Sequence, residues 1–289
     1  MTATGVRIAG QPLAERFSAF SFVDRITEFE PGTRAKGRFT VPEGVSEFPT
    51  CLAAEAVGQL AAWVAMAQLD FRLRPVAGIA REARFLGGVQ PGQTLDLEIE
   101  LEACDDDAVA YGGCAWVDGA KVVELSQCVG PMLPLAEFDD PDAVRAQLEV
   151  LRATGAPIGR FRGVDRPEAV VIERTRGARL RADLCWPESA VFFGDHFPRR
   201  PVLPGTLLLD SQMRLALELA AEATPHRPLQ PARVTDVKIR SFIAPGQVVA
   251  LEVAMLGSAN GTVTASLGAR VGGKSAATAR IEMAAGDPP

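Results

Sequence analysis

His196 is one of only two histidines in the chain, and it stands in the run FFGDHFPRRPVLPGTLLLD, residues 192–210. Imidazole is the side chain best suited to moving protons near neutral pH. Pro198, Pro201 and Pro204 stiffen the stretch behind it, and Gly205 then opens a mostly apolar run that reads as a buried helix. A helix start presents unpaired N–H groups and the positive end of a dipole, which suits a developing oxyanion. A proton shuttle so close in sequence to an oxyanion site points to catalysis. The alternative is a surface histidine in a proline-rich loop.

The elements that must hold this loop come in two copies. Pro204 opens its helix as Pro49 opens an earlier one, an offset of 204 − 49 = 155. Pro245-Gly246-Gln247 repeats Pro91-Gly92-Gln93 at 245 − 91 = 154, and Gly273 repeats Gly119 at 273 − 119 = 154. Asn260-Gly261 falls opposite the turn at Asp106-Asp107. These anchors predict a tandem duplication of a unit of about 130 residues. Each unit reads as a hairpin, a buried helix and an antiparallel meander, an α+β arrangement in which a sheet curls around a helix.

In the first copy, residues 20–42 read as two strands split by a turn at Pro31-Gly32. Residues 51–69 are apolar on nearly every face except for Glu55, Gln59 and Gln68, so other structure must wrap that helix. Leu95, Leu97, Ile99 and Leu101 alternate with Asp96, Glu98, Glu100 and Glu102, the period of a strand with one wet face. The acidic row is read as that wet face and not as a metal site. A strand through Trp116, a hairpin turn at Asp118-Gly119 and a strand through Val122 and Leu125 complete the unit. Residues 1–19 read as a lead-in. Asp140 is placed to cap a helix with Pro141 at its first position and Gly155 at its stop. The expected division is 1–135, a connector over 136–167, and 168–289.

The copies differ before the helix. From Pro42 to Pro49 is 7 residues, and from the equivalent Pro187 to Pro204 is 17. The missing ten fall where the histidine loop would be, and no histidine precedes His196. Both helices nevertheless carry an acid at one position, since Asp210 minus 155 is Glu55. A carboxylate among Leu and Ala is costly unless bonded or used, and burial would let it hold a proton at neutral pH. The alternative for each is a structural acid bonded to nearby backbone.

The run from residue 192 to 210 resembles the active-site segment of the 3-hydroxyacyl-acyl carrier protein dehydratases, which have the hot-dog fold. FVDRITEFEPG resembles their opening hairpin, and PTCLAAEAVGQ the start of their central helix, with Glu55 and Gln59 on motif. The resemblance covers residues 15–130 and 168–284 and implies a double hot dog, two units fused into a pseudo-dimer. It also implies a mechanism. The histidine removes the proton next to the thioester carbonyl, the helix acid protonates the leaving 3-hydroxyl, and a helix-start N–H polarises the carbonyl. In the family the base and the acid come from different units. Carried over, His196 is the base, Glu55 the acid and Gly205 N–H the donor, with Asp210 the second candidate for the acid. Arg199 stands where the family usually has Gly, which puts the loop turn in doubt, and Arg214 stands where the first copy keeps Gln59. Arg199 and Arg200 flank the expected entrance, placed either to grip a phosphopantetheine phosphate or an acidic carrier protein, or simply to be solvated.

Composition narrows the classes. A net charge of −6 argues against nucleic acid as the main partner. Five scattered cysteines without a CxxC fit free thiols in a reducing cytosol and no zinc site, and Cys51 reads as a packed thiol. The start of the chain shows no charged-then-apolar leader pattern, so a cytoplasmic protein without a membrane span is expected. His226 reads as a loop residue. No cofactor is called for, and the substrate would be an acyl carrier protein or coenzyme A thioester in fatty acid or polyketide synthesis. The pseudo-dimer could pair further into a homodimer. The rival readings are a hot-dog acyl thioesterase, which uses a helix carboxylate and a water, and a non-catalytic acyl-binding partner of a synthase.

Overall fold

A computed structural model describes residues 16–224, 226 and 228–285. The first fifteen residues of the lead-in therefore lie outside the described residues. The first copy runs β1 (Arg25–Glu30), β2 (Arg34–Thr40), α1 (Thr50–Gln68), β3 (Leu73–Pro75), β4 (Ile79–Phe85), β5 (Thr94–Cys104), β6 (Ala108–Val117) and β7 (Ala120–Pro134). After α2 (Pro141–Ala153) come β8 (Ala169–Thr175), β9 (Arg179–Cys185), α3 (Gly205–Ala223), β10 (Leu229–Ile239), β11 (Val248–Ala259), β12 (Thr262–Val271) and β13 (Lys274–Ala285).

The strand order is β1-β2-β5-β6-β7-β4-β10-β13-β12-β11-β9-β8, with β3 paired to β7 alone. Read outward from the β4–β10 ladder, the two sides list corresponding strands in the same order. The molecule is a double hot dog, two antiparallel units joined edge to edge through that ladder. Val234 faces Ala83 and Thr235 faces Glu82 there, and Arg233 reaches across to Glu82 at 3.1 Å. Sequence pattern alone does not single out the ladder strands. IAREARF and LQPARVTDVKI mix charge and apolar residues without clean alternation, because both faces of a central strand pair are partly covered.

Elsewhere the pattern and the structure coincide. Leu95, Leu97 and Ile99 of β5 point inward, while Asp96, Glu98 and Glu100 are exposed. By length and composition α1 could cross a bilayer, but Leu52, Ala56, Val57, Leu60 and Val64 have no accessible surface, because the sheet wraps the helix. Asp140 Oδ1 accepts from the N–H groups of Asp142 (3.1 Å) and Ala143 (3.2 Å), which caps α2 as its sequence predicts. Gly155 takes φ +82° just past the helix, a conformation that strains a residue with a Cβ.

Candidate active site

The stiff loop and the two central helices meet at one place. A cavity of about 290 Å³ is lined by Glu55 from α1, by His196 from the loop and by Gly205 and Thr206 from the start of α3. Thr206 Oγ1 donates to Glu55 Oε2 at 2.9 Å, so the first turn of one copy's helix touches the acid of the other. Gln59 Nε2 donates to the second carboxylate oxygen at 3.0 Å, one helical turn along α1. Burial pushes the Glu55 carboxyl above the usual carboxylate range, against the opposing pull of Gln59, Thr206 and the Arg74 charge. A protonated acid is thereby favoured.

His196 is held by its own loop. Its Nδ1 lies 3.3 Å from the Val202 carbonyl. Donation from Nδ1–H to that oxygen leaves Nε2 with its lone pair free. The ring stacks on Phe197 at 4.1 Å and takes the edge of Phe20 at 5.3 Å. Burial, helped by the Arg74 charge and opposed by the Val202 carbonyl, pulls the imidazole down to about 3, so it is neutral at physiological pH. Leu207 and Leu208 both donate to the Pro204 carbonyl at 3.1 Å. The N–H groups of Gly205 and Thr206 ahead of them precede any intrahelical acceptor and remain available to a ligand. A Cβ at Gly205 would meet Ile239 at 3.4 Å and Ala77 at 3.7 Å, two other cavity residues, so the glycine keeps that corner open.

Asp210 is elsewhere. It lies outside the cavity, and its Oδ2 accepts from Arg166 Nη1 at 3.1 Å. Arg166 also holds Glu47, in the short loop that replaces the histidine loop in the first copy. Arg199 and Arg200 are engaged with the connector. Arg199 donates to the carbonyls of Ala136 and Asp139 and to Asp140, and Arg200 pairs with Glu137 at 3.0 Å. His226 is exposed, and Cys51 is a buried thiol that burial pushes well up.

Three residues of this region were given no role by the sequence. Asp195 Oδ2 accepts from the N–H groups of Ala19 and Phe20 at 2.8 Å each, which pins the lead-in against the base. Arg16 closes the same segment through a buried pair with Asp139 at 2.8 Å. Arg74, from the short β3, puts a guanidinium into the cavity wall, 3.8 Å over the Phe197 ring. Arg74 stands beside another charge, in the run Asp70-Phe71-Arg72-Leu73-Arg74-Pro75, so nothing local marked it out.

The ApeI-like family, described as ApeI dehydratase, matches residues 172–274, the part that carries the histidine loop and α3. The 3-hydroxyacyl-[acyl-carrier-protein] dehydratase FabZ of Clostridium acetobutylicum is 37% identical over 114 residues, which are 35% of this chain and 80% of that one. The chain belongs to the 3-hydroxyacyl-[acyl-carrier-protein] dehydratase family. It is accordingly a lyase of the 3-hydroxyacyl dehydratase type. Solved structures extend the likeness in fold to both copies. The dehydratase domain of PpsC from Mycobacterium tuberculosis, in complex with C12:1-CoA, has a TM-score of 0.53 at 16% identity, covering 92% of this chain and 99% of that one. The 12:0-ACP thioesterase from Umbellularia californica has a TM-score of 0.52 at 10% identity, covering 88% and 94%. Dehydratases and thioesterases thus share this architecture, and the site residues must separate them.

Proposed function

We propose that the chain dehydrates 3-hydroxyacyl thioesters, carried on acyl carrier protein or coenzyme A, to trans-2-enoyl thioesters in fatty acid or polyketide synthesis. The observation that carries this reading is the shared cavity of His196 and Glu55, with Thr206 of one helix bonded to Glu55 of the other. His196 Nε2 takes the proton from C2, and the electron pair moves toward the thioester carbonyl. Gly205 N–H, at the positive end of α3, stabilises the enolate oxygen. The C3–O bond breaks as Glu55 gives its proton to the hydroxyl, and water leaves with C2=C3 formed. The proton on His196 then returns to Glu55 through solvent.

In this reading the chain has one composite site, with the base from 168–289 and the acid from 1–135, joined by the connector 136–167. Both substrate and enzyme would be cytoplasmic. The test is hydration of a trans-2-enoyl thioester, followed as loss of enoyl absorbance. Turnover in the wild type and its loss in His196→Ala supports the assignment. Release of free thiol from an acyl thioester without any enoyl chemistry would instead make the chain a hydrolase.

A further inference from the structure

The buried charges around the cavity are not all paired. Arg16 and Asp139 neutralise each other at 2.8 Å. Asp195, also in the cavity lining, is bonded to backbone N–H groups and to Ser21. Arg74 is different. Its guanidinium forms no ion pair or hydrogen bond among the described residues, and its Nε is covered by protein with no acceptor. It lies over the faces of Phe197 at 3.8 Å and Phe138 at 5.8 Å, and Asp139 and Glu55 act on it through space. Phe197 is also the ring on which His196 stacks. A cation with no counter-ion inside a protein is destabilising unless something else uses its field.

The groups that feel this field can be named element by element. From the histidine loop it is His196, from α1 Glu55, and from the connector Asp139, which is already held by Arg16. Arg200 lies on the outer side of Phe138, 5.3 Å from that ring, paired to Glu137 in solvent. Burial lowers Arg74 to about 10, so it stays charged wherever the enzyme works. Its charge disfavours an imidazolium at His196 and favours a carboxylate at Glu55. Both effects act in the direction that lets the resting base be neutral and the acid give up its proton.

We propose that Arg74 is a positioning residue for the dehydration: its unpaired cation, seated on Phe197, sets where the proton rests between His196 and Glu55. The proposal relies on the roles given to those two residues above. It predicts a pH dependence with a definite sign. Turnover in either direction needs one proton on the pair, so a second proton, on His196, sets the acid limb of the profile, and loss of the proton from Glu55 sets the alkaline limb. Removing the cation raises both groups, so both limbs move to higher pH together.

The experiment compares wild type, Arg74→Met and Arg74→Lys. The pH profile of kcat/KM for enoyl hydration should shift upward on both limbs by about one pH unit in Arg74→Met and stay in place in Arg74→Lys. A second readout does not need turnover. With only two histidines in the chain, and His226 exposed, the His196 imidazole resonance can be titrated directly by NMR. Its midpoint should rise in Arg74→Met and hold in Arg74→Lys. An unmoved His196 midpoint and unmoved limbs in a folded Arg74→Met, or an equal shift in Arg74→Lys, overturns the proposal. A Met variant that does not fold transfers the test to Arg74→Gln. If the wild type itself shows no hydration while the NMR midpoints move as stated, the proposed function fails and the electrostatic role of Arg74 stands.

Discussion

Glu55 and Asp210 occupy one position in two copies of one helix, yet they have different neighbours. Opposite Glu55 are an imidazole, a threonine hydroxyl and open space. Opposite Asp210 is Arg166, which fills the place and bridges to Glu47. The duplicated scaffold placed an acid twice, and the facing loop decided what each acid does. A buried carboxyl beside a cavity, bonded to Gln59 and Thr206 and in no ion pair among the described residues, can hold a proton for chemistry. One paired with a guanidinium is held in an ion pair instead. The short loop before α1 made room for the connector to supply that guanidinium.

The sharpest break in the comparison is His196→Ala. It should lower kcat/KM for enoyl hydration by ~10³-fold or more with the fold intact, read by circular dichroism. Glu55→Gln follows, with a loss of ~10²–10⁴-fold. Asp210→Asn in the same assay should stay within about threefold of wild type, because it faces no substrate. Equal losses in the two acid variants would end the asymmetry. Asp210→Asn and Arg166→Met should instead show themselves in stability. The Arg166 and Asp210 side chains are only 19% and 9% exposed, so removing either one strands a largely buried charge or its partner. A cost of about 1–3 kcal/mol and a melting point several degrees lower are expected, with activity retained.

The smallest effect concerns Asp195, which holds the lead-in beside the His196 loop. Burial raises its carboxyl to about 6, against the pull of the Phe20 and Ala19 N–H groups and Ser21. A raised folded-state value means that the native protein binds the proton more tightly than the unfolded chain. The stabilisation is full below the unfolded value and is lost as pH rises through about 6. Denaturant midpoints of wild type should therefore fall between about pH 4 and pH 6 by more than those of Asp195→Asn, which keeps an acceptor oxygen and cannot titrate. Parallel curves would mean that the carboxylate is ionised throughout. Asp24 is also raised to about 6 but is common to both proteins, so it cancels in the difference.

Much of this was legible beforehand because it is written in spacing. Proline and glycine anchors at offsets of 154 and 155 expose the duplication, and alternation on β5 exposes the inward face. The His196 loop and the two helix acids stand out because chemistry-bearing residues interrupt apolar runs. Arg74 and Arg166 did not stand out. Each is one arginine among many charged residues, and its meaning comes from a contact made across the fold. Arg166 lies in a stretch that reads as loop, and its partners are 44 and 119 residues away. Asp195 was adjacent to the base in sequence, but its partners come from residues 19–21, more than 170 positions upstream. Local pattern identifies what a side chain is; only tertiary placement says what it faces.

The ladder between β4 and β10 lies within one polypeptide, and that changes what the molecule is free to become. A pair of identical subunits must accept every substitution twice, so one of its two clefts cannot be altered while the other is spared. Here a single codon can alter one cleft alone, as Arg166 does beside Asp210. The join is also indifferent to dilution, because its two edges never separate by more than their tether. Asymmetry and independence from concentration thus arise from the same covalent continuity.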